Sequence, residues 1–253
     1  MKRYGLVGFP LGHSFSAGYF ARKFETLGLT GCCSYENFPV ENIDELRVVL
    51  PEGVEGFNIT IPHKRNILPL LADIDPEAQA VGAVNCVRVR ADGSFKGYNT
   101  DVYGFEVSLR RMLEAGDAPL QKGSLRALVL GTGGAAQAVH YVLRKLGIDY
   151  LEVSRTAAGE RRLSYDQLTP GVMERHRLIV NTTPLGMYPN LSTRAELPYD
   201  CIGEGYYLYD LIYNPAETAF LREGRVRGAW VKSGLEMLVL QAERSWEIWN
   251  GEK

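Results

Sequence analysis

Apolar residues are grouped along the chain at two spacings, which predict strands and helices in alternation. The clearest case begins with residues 127–130, a uniformly apolar run of the kind that a strand buried on both faces requires. A glycine turn at 131–135 follows, and apolar residues then recur at helical spacing from 135 to 146. Gly147 stands where a helix commonly ends, and a second short strand is predicted at 150–153. These residues predict a β–α–β unit of an α/β fold.

The turn between this strand and helix has the composition of an anion-binding site. Gly131, Gly133, Gly134 and Ala135 have no large side chain, so a phosphate could approach the backbone closely. The amino end of the following helix adds unpaired N–H groups and a partial positive charge, which suit a pyrophosphate. The spacing departs from a complete G-x-G-x-x-G fingerprint, so an ordinary strand–helix turn is the alternative.

The residues after the second strand indicate which dinucleotide would bind. Folds that bind NAD usually carry an acid at this point, which holds the ribose 2′-hydroxyl. This chain has Ser154, Arg155 and Thr156 there, and the nearest acid, Glu152, is predicted to lie inside the strand. Because an arginine and two hydroxyls suit a 2′-phosphate, the predicted cofactor is NADP.

The first half of the chain is also predicted to alternate strands and helices. Strands are predicted at 4–7, 32–38 and 57–61, and helices at about 17–27 and 43–50. Pro62 ends the third of these strands, and a short helix is predicted to open at His63 and Lys64 and to run toward Leu71.

Polar residues gather at two places in this half. Asn58, Thr60 and Lys64 follow one another at the carboxyl end of a strand, where open α/β sheets bind ligands. Ser14 and Ser16 follow a glycine- and proline-rich loop after the first strand. These residues are candidates for binding a polar substrate. The alternatives are helix capping for the serines and simple solvation for the lysine.

A strand is predicted over 81–89, with Asn85 in its middle. The dipeptide Asp92–Gly93 predicts the turn of a β-hairpin that residues 95–98 complete. The next helix should begin after Asp101, which is either a functional carboxylate or only a helix cap.

The remaining elements follow the same alternation. They are a helix at 102–115, a short helix at 165–168, strands at 178–180 and 207–212, a helix at 218–222, a strand at 229–231 and a C-terminal helix. The last helix has an apolar face running from Leu235 to Trp249, which we assign to core packing.

Composition excludes several classes of function. The 253 residues carry a net charge of −2, so there is no basic footprint for nucleic acid. No apolar run of about 18 residues predicts a membrane span. The four cysteines form no CxxC pair and no secretory signal is evident, which favours reduced thiols and a cytoplasmic protein. The four histidines lack metal-ligand spacing, so no metal is expected.

Eight segments, taken in order, resemble the shikimate dehydrogenase family. They are G-F-P-L-G-H-S-F-S (8–16), N-I-T-I-P-H-K (58–64), G-A-V-N (82–85), N-T-D (99–101), G-T-G-G-A (131–135), S-R-T (154–156), N-T-T-P-L-G-M (181–187) and G-L-E-M-L-V-L-Q-A (234–242). The resemblance implies a substrate-binding domain of residues 1–100 plus 235–253, built on a mixed sheet. It implies a Rossmann-type NADP-binding domain of residues 101–234.

The resemblance also implies a reaction, the reversible transfer of hydride between NADPH and the 3-position of the shikimate ring. Lys64 and Asp101 match the catalytic pair. A positioned ammonium stabilises the negative charge that grows on the carbonyl oxygen and can give up a proton, while a carboxylate holds the lysine and bonds a substrate hydroxyl. The implied substrate-binding residues are Ser14, Ser16, Thr60, Asn85, Tyr213 and Gln241. The implied cofactor-binding residues are Gly131, Gly133, Gly134, Ala135, Ser154, Arg155, Thr156, Thr182 and Gly234.

Two departures from the family pattern bear on specificity. Ala17 replaces a proline that often follows the second loop serine, and Gly159 replaces a second phosphate-binding arginine, for which Arg161 or Arg162 could substitute. A quinate or quinate/shikimate dehydrogenase is a close alternative, because quinate adds a hydroxyl beside the carboxylate, near the expected position of the loop with Ser14 and Ser16. A non-catalytic NAD(P)- or metabolite-binding module is a more distant one, because fold alone does not establish activity. The expected partner is a small-molecule substrate, and the expected assembly is a monomer or homodimer.

Overall fold

The computed structural model describes residues 1–12, 15–117 and 124–251. Its backbone contacts divide the chain into two compact units, one of residues 1–100 with 242–253 and one of residues 101–241. Each unit is organised around one six-stranded sheet. No helix among the described residues is long and apolar enough to cross a membrane.

The first unit contains a mixed sheet. Its strands are β1 (Lys2–Gly8), β2 (Cys33–Pro39), β3 (Val54–Ile59), β4 (Asp73–Ile74), β5 (Cys86–Val89) and β6 (Phe95–Tyr98). They lie in the order β2-β1-β3-β5-β6-β4, in which β1 pairs in parallel with β2 and β3, and β5 pairs antiparallel with β3 and β6. The β5–β6 hairpin turns at Gly93, which has φ +78°, so the hairpin predicted at Asp92–Gly93 is confirmed.

The helices of this unit are α1 (Phe15–Thr26), α2 (Leu46–Val49) and α3 (Pro76–Val81). Short 3₁₀ helices cover Ile43–Glu45 and Leu68–Leu70. A long C-terminal helix, α8 (Leu235–Asn250), has its first seven residues in the second unit and the rest in the first. Trp249 of this helix is buried among aromatic side chains, and its indole N–H donates to the Val87 carbonyl at 3.0 Å.

Two predicted elements of this unit form only in part, as the 3₁₀ helix Leu68–Leu70 and as β5. No helix opens at His63 and Lys64, because residues 61–67 form turns and the Lys64 carbonyl accepts the Val84 N–H at 2.8 Å rather than a helical N–H. Asn85 is not inside a strand, since α3 occupies the residues up to Val81 and β5 begins only at Cys86.

Local helix signals explain the second error. The Asp75 side chain accepts the Glu77 N–H at 3.0 Å, and Pro76 occupies the first helical position. Gly82 ends the helix in the left-handed conformation, with φ +71°. These start and stop signals outweigh the β-branched residues that suggested a strand.

The second unit contains a sheet in which every pair of neighbours is parallel. Its strands are β7 (Arg126–Leu130), β8 (Asp149–Ser154), β9 (Arg162–Ser164), β10 (Leu178–Asn181), β11 (Tyr207–Asp210) and β12 (Trp230–Ser233). Its helices are α4 (Thr100–Ala115), which begins at the last residue of the first unit, α5 (Gly134–Lys145), α6 (Pro170–Arg175) and α7 (Ala219–Arg225).

The strand order in this unit is β12-β11-β10-β7-β8-β9. From β7 the chain proceeds outward through β8 and β9, and it then returns to the other side of β7 with β10. The order therefore reverses between β7 and β10, which is where doubly wound α/β sheets bind nucleotides. A mixed sheet followed by an all-parallel Rossmann-like sheet confirms the predicted fold class.

Candidate active site

In the first unit, the turn after β3 carries two predicted site residues, Thr60 and Lys64. The Thr60 N–H donates to the Val7 carbonyl at 2.9 Å, and the Thr60 carbonyl accepts the His63 N–H at 2.9 Å. Both Thr60 and Lys64 are half-buried. The hydrogen bond from Val84 to the Lys64 carbonyl then fixes the far side of the turn. The backbone under Lys64 is therefore held from both ends.

His63 is a residue of this turn that sequence reasoning missed. Its side chain is 1% exposed, and its Nε2 lies 2.6 Å from the Val40 carbonyl oxygen. A carbonyl oxygen only accepts, so Nε2 carries the proton and donates. The position of His63 between Pro62 and Lys64 was the only signal for such an anchoring role.

Asn85 is 3% exposed and lies directly before β5. Its Oδ1 accepts the Thr100 N–H at 2.6 Å, and its Nδ2 donates to Thr100 Oγ1 at 3.1 Å. Asn85 therefore holds the first residue of α4. Asp101, the next residue, is half-buried in the first turn of that helix.

The loop serines are only partly described. Ser14 lies outside the described residues, and Ser16 is a half-buried residue of the first turn of α1. Burial raises the pKa of the nearby Tyr35 hydroxyl, and a hydrogen bond from Ser16 opposes that shift. Tyr35 donates its own proton to Asn58 Oδ1 at 3.0 Å.

In the second unit, Tyr213 follows β11 and is 39% exposed. Gln241 on α8 is 8% exposed, and its amide nitrogen donates to the Leu238 carbonyl at 3.0 Å. The backbone of α8 passes close to Gly104, where an added Cβ would lie 3.2 Å from the Gln241 nitrogen.

The predicted phosphate turn lies at the switch point of the parallel sheet. Gly131 has φ +99°, and an added Cβ would lie 2.9 Å from Thr182 Oγ1 and 3.0 Å from Thr183 Cγ2. Thr182 itself donates to the Leu130 carbonyl through Oγ1 at 2.7 Å. Glycine is therefore required at 131 because the ends of β7 and β10 approach each other there.

Gly133, Gly134 and Ala135 form the start of α5, and all three are exposed. A Cβ added to Gly133 or Gly134 would meet nothing within 4 Å. The first N–H groups of a helix have no acceptor within the helix, so this open surface presents donors and a positive dipole end. The geometry suits a pyrophosphate.

The end of β8 provides the residues predicted to select NADP. Arg155 and Thr156 are exposed, and Ser154 Oγ donates to the Thr156 carbonyl at 2.5 Å, which fixes the turn. The Ser154 hydroxyl proton is used within this turn. The exposed Arg155 guanidinium is the positive group that can contact a phosphate here.

The two arginines considered as substitutes are both in ion pairs. Arg162 contacts Glu152 Oε2 at 2.6 Å through Nη2 and at 2.7 Å through Nε. Arg161 pairs with Asp149 and donates to the Tyr150 carbonyl at 3.1 Å. Each of these two guanidinium groups is therefore engaged by a carboxylate in this structure.

A buried carboxylate, Asp210, organises the end of β11 and was missed by sequence reasoning as a site residue. It accepts hydrogen bonds from Thr218 Oγ1 at 2.6 Å, from Asn181 Nδ2 at 3.0 Å and from the Ile212 N–H at 3.1 Å. Burial raises the pKa of Asp210 to about 6, and the three hydrogen bonds oppose this shift. The bond to Ile212 ends β11 two residues earlier than predicted.

Gly234 stands between β12 and α8. Its N–H donates to the Ile212 carbonyl at 3.0 Å, and an added Cβ would collide with the Leu211 carbonyl. The predicted cofactor residues thus lie at the carboxyl ends of β7, β8, β10 and β12, on one edge of the parallel sheet. An open glycine turn at the switch point and an arginine at the end of β8 fit NADP.

Among the described residues, no three histidine, cysteine or acidic side chains are grouped as they would be to hold a metal ion.

Comparison with known proteins gave matches over the whole chain. A family model for the shikimate dehydrogenase substrate binding domain matches residues 6–87. The chain is 37% identical over 264 residues to the shikimate dehydrogenase (NADP(+)) of Shouchella clausii strain KSM-K16, covering 100% of this chain and 94% of that protein.

Solved structures give the same result. The shikimate 5-dehydrogenase of Thermus thermophilus, in complex with NADP(H) and shikimate, matches with a TM-score of 0.81 and 34% identity, covering 100% of this chain and 94% of that one. A quinate dehydrogenase from Corynebacterium glutamicum, in complex with NAD, matches with a TM-score of 0.84 but only 25% identity, covering 99% of this chain and 94% of that one.

Proposed function

The chain belongs to the shikimate dehydrogenase family, and from this membership we propose that it catalyses the reversible reduction of 3-dehydroshikimate to shikimate with NADPH. The observation that carries the proposal is the anchoring of the turn that holds Lys64. Val84 bonds the Lys64 carbonyl, and the neighbouring Asn85 bonds Thr100, the residue before Asp101. These hydrogen bonds anchor the backbone at Lys64 and at Thr100, the residue before Asp101.

The reaction requires a proton as well as a hydride. Bound NADPH supplies the hydride to the carbonyl carbon of the substrate. Negative charge then grows on the carbonyl oxygen, and the Lys64 ammonium stabilises that charge and gives up one proton to form the hydroxyl. In the oxidation of shikimate, neutral Lys64 accepts the hydroxyl proton. Asp101 accepts a hydrogen bond from a substrate hydroxyl.

The remaining predicted residues bind and orient. Substrate hydroxyls and carboxylate are bound by Ser14, Ser16, Thr60, Asn85, Tyr213 and Gln241. The cofactor is bound by Gly131, Gly133, Gly134, Ala135, Ser154, Arg155, Thr156, Thr182 and Gly234. The arrangement of the second group supports this role, because its members lie at the carboxyl ends of β7, β8, β10 and β12 or begin α5, all on one edge of the parallel sheet.

The location and assembly of the protein belong to the same proposal. We expect a cytoplasmic enzyme that acts as a monomer or homodimer. Gel filtration coupled to light scattering measures the assembly directly.

Steady-state assays test the proposal most directly. Shikimate and quinate should each be tested with NADP⁺ and with NAD⁺, which gives four catalytic efficiencies. The highest should belong to shikimate with NADP⁺. The likeness to quinate dehydrogenase makes quinate with NAD⁺ the second candidate, and a higher efficiency for that pair would reassign the enzyme. A protein that binds the ligands without turnover would be a non-catalytic module.

A further inference from the structure

Ser245 is a fully buried polar residue on the apolar face of α8. Its Oγ accepts a hydrogen bond from Asn58 Nδ2 at 2.8 Å and lies 3.3 Å from Thr100 Oγ1. The sequence gives one signal for this contact. Ser245, three positions after Ala242, is a small polar residue on a helix face that otherwise packs in the core. Buried hydroxyls that bond two different segments commonly specify their relative placement.

The orientation of Asn58 is fixed by its partners. Its Nδ2 lies 3.2 Å from the Asn85 carbonyl oxygen, which only accepts, so the nitrogen of the amide must face Asn85. The Asn58 Oδ1 then faces Tyr35, which donates to it. With a side chain that is 5% exposed, Asn58 bonds other protein groups. Asn58 lies near the end of β3, where the sequence made it a candidate for substrate binding. Its hydrogen bonds instead support the neighbouring residues Asn85 and Ser245.

The hydrogen bonds among Ser245, Asn58, Thr100 and Asn85 form one network, and its two arms meet at Asn85. One runs from Asn58 Nδ2 to the Asn85 carbonyl, and it holds the backbone. The other runs from Ser245 through Thr100 to the Asn85 side chain, whose Oδ1 and Nδ2 both bond Thr100. Ser245 bonds Asn58 in the first arm and contacts Thr100 in the second, so removal of its hydroxyl loosens both.

We propose that Ser245 and Thr100 are positioning residues for substrate binding, which hold the Asn85 amide in the orientation that serves a substrate hydroxyl. This inference rests on the proposed function, in which Asn85 binds the substrate. The Asn85 Nδ2 carries two hydrogens. The bond to Thr100 uses one and directs the other away from Thr100, where it serves as the donor to the ligand.

The first test is Ser245→Ala, which removes the hydroxyl and leaves a good helix former. Ser108→Ala is a matched control, because Ser108 is also a fully buried helical serine, but its hydroxyl bonds Tyr209 at 2.9 Å and not the Asn85 network. Calorimetry on each purified protein gives Kd for shikimate and, separately, for NADP⁺. Thermal unfolding gives the stability of each variant.

We expect Ser245→Ala to raise Kd for shikimate by about 5- to 30-fold and to leave Kd for NADP⁺ unchanged. Ser108→Ala should leave both constants unchanged. Equal weakening of both ligands, or no change for shikimate, would overturn the positioning role. A wild-type protein that fails to bind shikimate would instead refute the proposed function, so the two failures are distinguishable.

A double-mutant cycle separates positioning from general stabilisation. If Ser245 acts through Asn85, then Ser245→Ala should have little further effect on shikimate binding in an Asn85→Ala background. Full additivity would overturn the proposal. Thr100 gives an independent pair of variants should Ser245→Ala fail to fold. Thr100→Val should weaken shikimate binding, and Thr100→Ser, which keeps the hydroxyl, should restore it. Equal behaviour of these two variants would also overturn the proposal.

Discussion

Arg162 lies against Glu152, with its Nη2 2.6 Å and its Nε 2.7 Å from the same carboxylate oxygen. The two residues are directly paired across β8 and β9. The pair matters for cofactor choice because it holds one of the two candidate arginines away from the end of β8. We therefore expect Arg155 to be the main contact of a 2′-phosphate.

We therefore predict that Arg155→Ala raises KM for NADP⁺ by about tenfold or more, since a hydrogen-bonded charge pair is lost, with little change for NAD⁺. Arg162→Ala is the control and should leave the ratio of the two efficiencies unchanged. Binding of 2′,5′-ADP compared with 5′-AMP gives a readout independent of turnover. If Arg162→Ala reduced the catalytic efficiency with NADP⁺ as strongly as Arg155→Ala, Arg162 would contact the 2′-phosphate despite its ion pair with Glu152.

Lys64→Ala should lower kcat by at least about 100-fold, because it removes the proposed proton donor of the transition state. Its backbone bonds remain, so the melting temperature should change little. The exposed neighbour Arg65 provides the control, since Arg65→Ala alters charge beside the site without removing the proton donor. Near-normal turnover in Lys64→Ala would refute the assignment.

Asp101→Asn should also lower activity, and loss of stability alone would make Asp101 only a helix residue.

Substrate choice is predicted to favour shikimate over quinate. In the proposed site, Ser14 and Ser16 bind the planar carboxylate of shikimate, whose carboxyl carbon joins a ring double bond. Quinate lacks this double bond, and its additional hydroxyl needs a hydrogen-bond partner in the site. An unpaired ligand hydroxyl costs about 1–3 kcal/mol, which corresponds to roughly tenfold to a hundredfold or so in specificity. The ratio of catalytic efficiencies with NADP⁺ measures it. A ratio at or below unity would favour the quinate dehydrogenase assignment.

Gly131 and Gly133 should respond differently to alanine. Gly131→Ala places a Cβ 2.9 Å from Thr182 Oγ1 at φ +99°, so we expect a loss of about 1–3 kcal/mol in unfolding free energy. Gly133→Ala, at φ −77° and with open space around it, should leave stability nearly unchanged and weaken NADP⁺ binding. Denaturant unfolding and calorimetry measure the two effects. Unimpaired NADP⁺ binding by Gly133→Ala would place the phosphates elsewhere.

The buried carboxyl of Asp210 should make stability depend on pH. Burial raises its pKa from 3.8 to about 6, so the folded protein binds more protons than the unfolded chain between these values. The contribution of Asp210 is fully present below about pH 4 and is lost as pH rises through about 6. At about 1.36 kcal/mol per pKa unit, the loss is at most about 3 kcal/mol.

Asp210→Asn tests this assignment, because a neutral amide does not titrate in this range. The slope of unfolding free energy between pH 4 and 6 should become less negative in this variant, whereas Asp166→Asn, at an exposed position, should leave it unchanged. An unchanged slope in Asp210→Asn would show that this carboxyl does not titrate with a raised pKa.

The amino-acid sequence by itself determined the elements whose signals are local. The apolar run at 127–130, its glycine turn and the helical repeat after it specified β7 and α5, because steric and hydrophobic periodicities act over a few residues. Asp92–Gly93 likewise specified its hairpin. Family resemblance in eight short segments indicated the reaction and the candidate residues.

Only the tertiary structure decided which side chains meet. The hydrogen bonds of Asn85 with Thr100, of Asn58 with Ser245 and of His63 with Val40 join residues 15 to 187 positions apart. Their pairing depends on strand register and on where α8 packs, which no local pattern encodes. The same reason explains Arg162, which the sequence left available for a phosphate and which parallel pairing of β8 with β9 placed on Glu152.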